Sequence, residues 1–172
     1  MAGSLKKISK VTASGSPSVL TIQGIDSTYN VYIVHYKDIV PNSDERLGLR
    51  VTKGGTPQDD SNYDNGRKGL LAHGAFQENS DVDDSKILLG TVESTATTSG
   101  AFGTLYLYNF NNSSEYSFIN FESMMHASTP SAFADVGGGV HTVASASDGV
   151  SFFFESGATF TSGEMILYGL VK

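Results

Sequence analysis

The sequence predicts an all-β fold, a sandwich or barrel built from about ten short strands. No long stretch has the apolar spacing of an amphipathic helix, whereas alternate residues are apolar along much of the chain, as at Leu47, Leu49 and Val51. This period of two is typical of a strand with one buried face. Turn residues separate the apolar runs, and Asp148-Gly149 between two such runs indicates a tight hairpin.

The predicted strands are spread over the whole chain. Residues 46–53 have one apolar and one polar face, whereas residues 103–110 are apolar on both faces and are expected inside a sandwich or at an interface. The acidic segments 53–66 and 77–85 are expected to be surface loops, and Gly137-Gly138-Gly139 a flexible entrance to the next strand. The other strand candidates are 5–13, 19–25, 29–40, 69–76, 86–93, 115–125, 139–146, 150–155 and 164–171.

Length, charge and composition restrict the classes of protein. The 172 residues are expected to form one domain, residues 1–172, and a short N-terminal arm over residues 1–10 is left open. The net charge of −7 argues against nucleic acid as a partner, because phosphate binding needs grouped Lys and Arg. No apolar run approaches the ~20 residues of a membrane helix, so no membrane partner is expected. The chain has no cysteine and therefore no disulfide.

Two patterns bear on metal binding. Asp60, Asn62 and Asp64 imitate the alternating oxygen ligands of a calcium loop, but Asn65 stands where that loop needs glycine and Leu71 where it needs glutamate. A solvated acidic loop is therefore favoured over an ion site. The histidines lie on separate strand candidates without cysteine nearby, which favours hydrogen-bonded histidines over a zinc site. We expect no metal and no cofactor. The histidines are His35, His73, His126 and His141.

The sequence contains no recognisable catalytic arrangement. A nucleophilic serine needs a strained turn or a neighbouring base, and no Gly-x-Ser-x-Gly elbow occurs. An enzyme that cleaves polysaccharide needs two carboxylates facing one cleft, and the sequence gives no separation between its glutamates. We therefore expect that the protein is not an enzyme. The glutamates considered are Glu115, Glu122, Glu155 and Glu164.

Tyrosines are the better candidates for binding. The chain has 8 Tyr and 10 Phe but no Trp. Tyrosine rings stack on sugars, and they also fill protein cores and subunit interfaces. Because tryptophan would be expected to help a carbohydrate site, core and interface roles are favoured. The candidate glycan contacts are Tyr63, Tyr106 and Tyr108.

Two segments resemble a known family. Residues 29–41 (YNVYIVHYKDIVP), then Leu47-Gly-Leu-Arg50, a glycine-rich loop and Tyr63, resemble small β-sandwich virion proteins of tailed bacteriophages. The closing segment 160–170 (FTSGEMILYGL) is similar to the strand with which those proteins end. The resemblance implies a jelly-roll-like antiparallel β-sandwich of about ten strands with essentially no helix. It also implies a structural part in a virion, without catalytic residues.

We therefore expect a bacteriophage virion structural protein, assembled in the cytoplasm of the bacterial host, that acts as a capsid decoration or cement protein. Its expected partners are further copies of itself, in a homotrimer, and the major capsid protein or tail proteins. Ile166, Tyr168 and Leu170 are expected at an interface, because residues 165–170 leave no polar face. Lys6 and Lys7 are expected to hold the N-terminal segment on an acidic neighbour. The alternative is a tail- or fibre-associated, lectin-like module that binds a host surface glycan.

Overall fold

The structure is a computed structural model that describes residues 4–72, 74, 76–94, 100–127 and 131–171. These residues form two antiparallel sheets packed as a sandwich, and the described part contains no helix, so the predicted all-β sandwich is confirmed. In chain order the strands are β1 (Ser4–Thr12), β2 (Val19–Gln23), β3 (Val31–Pro41), β4 (Glu45–Lys53), β5 (Thr56–Pro57), β6 (Tyr63–Leu71), β7 (Gln77–Asp84), β8 (Ile87–Val92), β9 (Ala101–Tyr108), β10 (Ser117–Ala127), β11 (Ser131–His141), β12 (Gly149–Phe154) and β13 (Phe160–Val171).

The larger sheet has eight strands in the order β1-β13-β3-β9-β10-β11-β6-β7. Every neighbouring pair in it is antiparallel. The two edge strands are irregular: β1 shifts register against β13 between Lys7 and Ser9, and β7 shifts against β6 between the partners of Tyr63 and Asn65. A bulge of this kind bends an edge strand and increases its twist.

The smaller sheet has the order β2-β12-β4-β5, and β8 also pairs with β4. Asp148, just before β12, holds this sheet together. Its carboxylate accepts hydrogen bonds from the Thr52 hydroxyl at 2.6 Å and the Gly55 N–H at 3.0 Å. Its carbonyl accepts the N–H groups of Gly24 at 3.1 Å and Ile25 at 3.0 Å. One turn residue therefore connects the ends of β2, β4 and β12.

Several expectations about individual segments are wrong. The expected loop 53–66 contains β5 and the beginning of β6, and the expected loop 77–85 is almost entirely β7. The segment for which an N-terminal arm was left open is an edge strand from Ser4 onward, because Ser4–Thr12 is hydrogen-bonded to β13, while residues 1–3 lie outside the described residues. An edge strand needs no buried side chain, so an acidic or lysine-rich composition does not prevent strand pairing.

The glycine-rich segment lies inside a strand instead of leading into one. Gly137, Gly138 and Gly139 pair with β10 on one side and β6 on the other. A Cβ at Gly137 would come within 2.7 Å of the Phe121 ring and 2.5 Å of the Gly66 carbonyl oxygen. These positions are therefore glycine because other parts of the chain approach the backbone too closely for a side chain.

The core lies between the two sheets, where rings from both sheets meet. Tyr36 of β3 and Phe152 of β12 pack edge to face with ring centroids 5.1 Å apart, and Phe154 and Phe160 lie 4.5 Å apart. The central strands of the large sheet supply its side of the core, whereas no residue of β1 or β7, both described in full, is fully buried. The edges of the large sheet therefore depend mainly on backbone pairing, to which Ile8 and Val11 of β1 add partly buried contacts with the core.

A buried ion pair lies on the inner side of the large sheet. Arg67 Nη1 donates to Asp135 Oδ1 at 2.5 Å, and both side chains are almost fully buried. Burial raises the pKa of Asp135, although Arg67 opposes that rise. Burial also raises the pKa of the Tyr36 hydroxyl, which remains a neutral phenol. Removing either partner of such a pair leaves a buried charge without compensation.

His141 is the second buried titratable group. It is fully buried beside Tyr63, with ring centroids 4.8 Å apart, and its Nε2 lies 3.5 Å from Asp60 Oδ1. Burial lowers the pKa of His141, and the nearby Asp60 carboxylate opposes this only in part. The native state therefore favours the neutral imidazole.

The core predicts a contrast between two adjacent phenylalanines. We expect Phe152→Ala to lower the free energy of unfolding by about 3–5 kcal/mol, because a fully buried ring leaves a cavity between the sheets. Phe153 points to the other side of β12, where the Arg50 guanidinium lies 4.3 Å from its ring centroid. We expect Phe153→Ala to cost only about 1–2 kcal/mol. Chemical denaturation measures both values, and equal losses would contradict this packing.

The burial of His141 predicts a loss of stability on mild acidification. In the unfolded chain His141 has an ordinary pKa, whereas the pKa in the fold is lower, so the unfolded state binds more protons as the pH falls below about 6.5. Between pH ~7.5 and ~5.5 we expect a loss of about 1 kcal/mol. His141→Phe should remove this loss, whereas His35→Phe, at an exposed position, should keep it. Denaturation curves at several pH values test the difference, and identical pH profiles for wild type and His141→Phe would refute it.

Candidate functional site

The outer face of the large sheet, which points away from the small sheet, is the candidate site. On β13 the side chains alternate: Met165 and Leu167 are buried in the core, whereas Ile166, Tyr168 and Leu170 lie on this outer face and are partly exposed. The same strand therefore supplies both core and surface. The three residues expected at an interface share one side of the molecule.

Other strands extend the apolar surface across the sheet. On β10, Met124 is 59% exposed and Phe118 45%, and on β9, Phe102 is 43% exposed. Register pairs Met124 with Phe102 on β9, which places their side chains on the same face. Isolated exposed apolar residues are ordinary, but a contiguous group of this kind marks a binding surface. We call this surface the apolar band; its members are Phe102, Tyr106, Phe118, Met124, Val136, Ile166, Tyr168 and Leu170.

A groove of about 590 Å³ runs along the apolar band. Its lining includes Phe102, Met124, Val136 and Ile166, together with Tyr168, which packs against His35 at 5.3 Å between ring centroids. Cross-strand register brings Ile166 beside His35, so β13 and β3 together form one side of the groove. The groove is wide, open and mainly apolar.

Charged groups at one end of the groove are already paired. Glu164 forms one ion pair with Lys10 at 2.5 Å and another with Lys37 at 3.5 Å. These pairs link β13 to its two neighbours, β1 and β3. The hydrogen bond from Lys10 holds the pKa of Glu164 below its usual range. Glu164 is therefore a neutralised carboxylate within a three-residue network, and only Glu122 adds a second carboxylate to the lining.

A second depression of about 340 Å³ adjoins the groove and shares Glu122 and Val136 with it. Tyr106, Tyr108 and Asn120 also line it. Aromatic rings beside an amide and a carboxylate are groups that can stack on a sugar and hydrogen-bond to its hydroxyls. Two of the three tyrosines expected to contact a glycan therefore lie together on the surface.

The prediction that the third tyrosine, Tyr63, contacts a glycan is wrong. Its side chain is fully buried, its hydroxyl donates to the Gln58 carbonyl at 2.8 Å, and the same oxygen accepts the Val51 N–H at 3.2 Å. These contacts attach the loop before β6 to β4. The sequence could not distinguish this role, because a buried tyrosine with a satisfied hydroxyl has the same local pattern as an exposed one.

Lys6 and Lys7 lie on the edge strand β1, apart from the groove. Both are exposed, and neither has an ion-pair partner among the residues that the structure describes. Register pairs Lys7 with Tyr168 and Lys6 with Gly169, so the two lysines lie on opposite faces of the sheet edge. Lys7 thus shares the outer face with Tyr168, whereas Lys6 lies on the opposite face of the sheet edge.

Of the four glutamates considered for catalysis, Glu122 and Glu164 line the same groove, whereas Glu115 and Glu155 do not. Glu155 lies away from the groove, where it pairs with Lys86 at 3.1 Å and Arg46 at 3.6 Å. Within the described ranges, no group of three or more His, Asp or Glu side chains is placed to hold a metal ion. His73 lies outside the described residues, as does the side chain of His126. Over the same ranges the structure has no helix of the length and apolarity needed to cross a membrane.

Sequence reasoning missed half of the apolar band. Phe102, Phe118, Met124 and Val136 were not among its candidates, although the two apolar faces predicted for residues 103–110 were a signal. Which side of a strand faces solvent depends on which face the second sheet covers, and that is a property of the assembled sandwich.

Comparisons with known proteins give little information about the role of this surface. No family model and no curated protein matches the chain. Among solved structures, the VP2 subviral particle of infectious bursal disease virus aligns over 99% of this chain and 41% of its own, with 8% identity and a TM-score of 0.14. A structure of the Gx strain of that virus aligns over 99% of this chain and 40% of its own, with 9% identity and a TM-score of 0.13. The chain thus spans less than half the length of these chains, and TM-scores of this size do not establish a shared fold.

Proposed function

We propose that the protein is a bacteriophage virion structural protein without catalytic activity, a decoration or cement protein of the capsid. The observation that supports this proposal is the apolar band on the outer face of the large sheet. The resemblance of residues 29–41 and 160–170 to small phage virion proteins points to the same class.

The composition of the apolar band fits a protein partner. Interface cores are enriched in aromatic residues and methionine and depleted in charged residues. Phe102, Tyr168 and Met124 are of these types, and Glu164, the charged group at the end of the groove, is already neutralised by lysines. The partner that we propose is the major capsid protein, or a tail protein at a related location, with copies of this chain joined as a homotrimer.

The mechanism of such a protein is mechanical. A subunit that binds the assembled shell but not its dissociated parts stabilises the assembled state by mass action, by about 2.7 kcal/mol when its free concentration is 100 times its Kd. The bound protein buries the apolar band across subunit junctions, so local opening of the shell must first expose that surface to water. The protein would be made in the host cytoplasm and act in the virion.

The proposal predicts that a polar change in the band weakens attachment to the particle. We expect Met124→Lys to raise the Kd for particles that lack the protein by ~30-fold or more, which corresponds to about 2 kcal/mol for a central contact. Val19→Ser is the matched control, because Val19 is also an exposed apolar residue but lies on β2 of the small sheet. Co-sedimentation with purified particles measures both.

Two results would contradict the proposal. One is equal binding by Met124→Lys and wild type; the other is absence of the chain from purified virions in quantitative mass spectrometry. Its copy number relative to the major capsid protein also assigns the location, because closed symmetry ties copy number to position. A number close to that of the capsid protein supports decoration, and a few copies per particle support a tail position.

A second candidate function is supported by the depression that contains Tyr106 and Tyr108. In this alternative the protein is a tail- or fibre-associated, lectin-like module that binds a host surface glycan. We expect Tyr106→Ala to lower binding to a recognised glycan at least ~10-fold, because stacking on the ring is lost. Tyr116→Ala, an exposed tyrosine outside the depression, should not change it. Glycan arrays followed by calorimetry test this, and absence of any glycan ligand, or equal effects of both changes, would argue against it.

A further inference from the structure

The two edges of the eight-stranded sheet have opposite charge. At one edge, β1 contains three lysines and no acidic residue. At the other edge, β7 contains four acidic residues and no basic one. The lysines are Lys6, Lys7 and Lys10, and the acidic residues are Glu78, Asp81, Asp83 and Asp84.

Part of this charge has no partner within the chain. Lys10 pairs with Glu164 and Glu78 with Lys68, but Lys6, Lys7 and Asp81 have no ion-pair partner among the described residues. Each edge also exposes an apolar residue. Leu5 on β1 is 46% exposed and Val82 on β7 is 75% exposed.

The directions of the two edge strands are compatible with pairing. All neighbours in the large sheet are antiparallel and the number of strands is even, so β1 and β7 run in opposite directions. A second copy related by rotation about an axis along the strands would therefore bring its β1 antiparallel to β7 of the first. The antiparallel order would continue across the junction without interruption.

We propose that β1 of one copy adds to β7 of the next copy and forms a continuous sheet. This inference rests on the proposed function in one respect, since that function includes assembly with further copies of the same chain. The bulges divide β1 into the regular segments Ser4–Lys7 and Ser9–Thr12, and they leave Gln77–Asp81 as the regular segment of β7. Of the two segments of β1, Ser4–Lys7 contains the lysines without an ion-pair partner among the described residues. Four to five residues on each side are thus available for main-chain hydrogen bonds, and the facing charges fix which edges meet.

Charge also excludes the other two pairings. A β1–β1 junction would bring lysines together and a β7–β7 junction would bring carboxylates together, and like charges directly opposite on paired strands are unfavourable. Side chains across such a junction lie about 5 Å apart, well inside the Debye length of ~10 Å at 0.1 M salt. The remaining β1–β7 junction joins two different surfaces. Such a junction generates a closed ring when the rotation between neighbouring copies is a whole fraction of a turn, and the smallest such ring with more than two copies is a trimer.

Charge reversal at each edge tests the proposal. The basic edge is reversed by Lys6→Glu with Lys7→Glu, and the acidic edge by Glu78→Lys with Asp81→Lys. We expect wild type to form oligomers, and each reversed protein to raise the Kd for self-association about 100-fold, because in each reversed protein the segments Ser4–Lys7 and Gln77–Asp81 now carry charge of the same sign. Asp59→Lys with Glu115→Lys is the control: it changes the net charge by the same amount as the acidic-edge reversal, at exposed positions outside β1 and β7. Sedimentation of the purified full chain measures association, and thermal unfolding checks that each variant folds.

Mixing the two reversed proteins is the decisive measurement. Equal amounts should associate again, because over Ser4–Lys7 and Gln77–Asp81 one protein has two acidic edge segments and the other has two basic ones. Native mass spectrometry should show complexes in which the two proteins alternate. Raising the salt from about 50 mM to about 500 mM should weaken the wild-type association. If one reversed protein fails to fold, the Kd of the other reversed protein and the salt dependence of the wild type still test the proposal.

Three outcomes would overturn the edge pairing: a monomeric wild type, reversed proteins that associate as wild type does, or a mixture that stays dissociated. These outcomes are separate from those for the virion. A monomeric protein found in virions overturns the edge pairing alone, whereas an oligomer absent from virions overturns the proposed function alone.

Discussion

The structure depends on the burial of one face of an eight-stranded sheet by a smaller sheet. Because successive side chains of a strand point to opposite faces, this single contact decides the environment of every residue on the central strands. On β13 it places Met165 and Leu167 in the core, and it leaves Ile166 and Tyr168 in contact with solvent. The apolar band thus consists of residues that the small sheet does not cover. A third layer, supplied by another protein, would bury the outer face as the small sheet buries the inner face.

Polar groups inside the sandwich are tolerated only with partners or as neutral forms. Arg67 and Asp135 compensate each other, and the Tyr36 hydroxyl and the His141 ring are held in their uncharged forms by burial. Such groups make the interior less stable than a purely apolar one would be. They also restrict how the core can pack, because each buried polar group must keep its partner. Asp148 has a similar role at the surface of the small sheet, where its hydrogen bonds fix three chain segments at once.

The alternation of apolar residues and the turn pairs were enough to predict the all-β class and most strands of the core. They failed where backbone pairing occurs without side-chain burial. The acidic strand β7 has no apolar alternation to detect. The glycines of β11 have the composition of a loop, and the close approach of Phe121 and Gly66, which requires glycine at Gly137, is visible only in the folded sheet. The site was predicted in part: alternation on β13 identified Tyr168, but Tyr63 could not be separated from exposed tyrosines, since burial is decided by residues distant in sequence.

The edges of the large sheet show how one feature can serve two purposes. Lysines and carboxylates on edge strands prevent uncontrolled pairing with other sheets, and bulges shorten the segment available for it. An edge protected by one sign of charge, however, is protected only against edges of the same sign. When the two edges of one sheet differ in sign, as β1 and β7 do here, protection against like edges and selection of the unlike edge follow from the same residues. The proposed assembly through the edges would also leave the apolar band of every copy free on the outer face, so the two proposed binding surfaces would not compete.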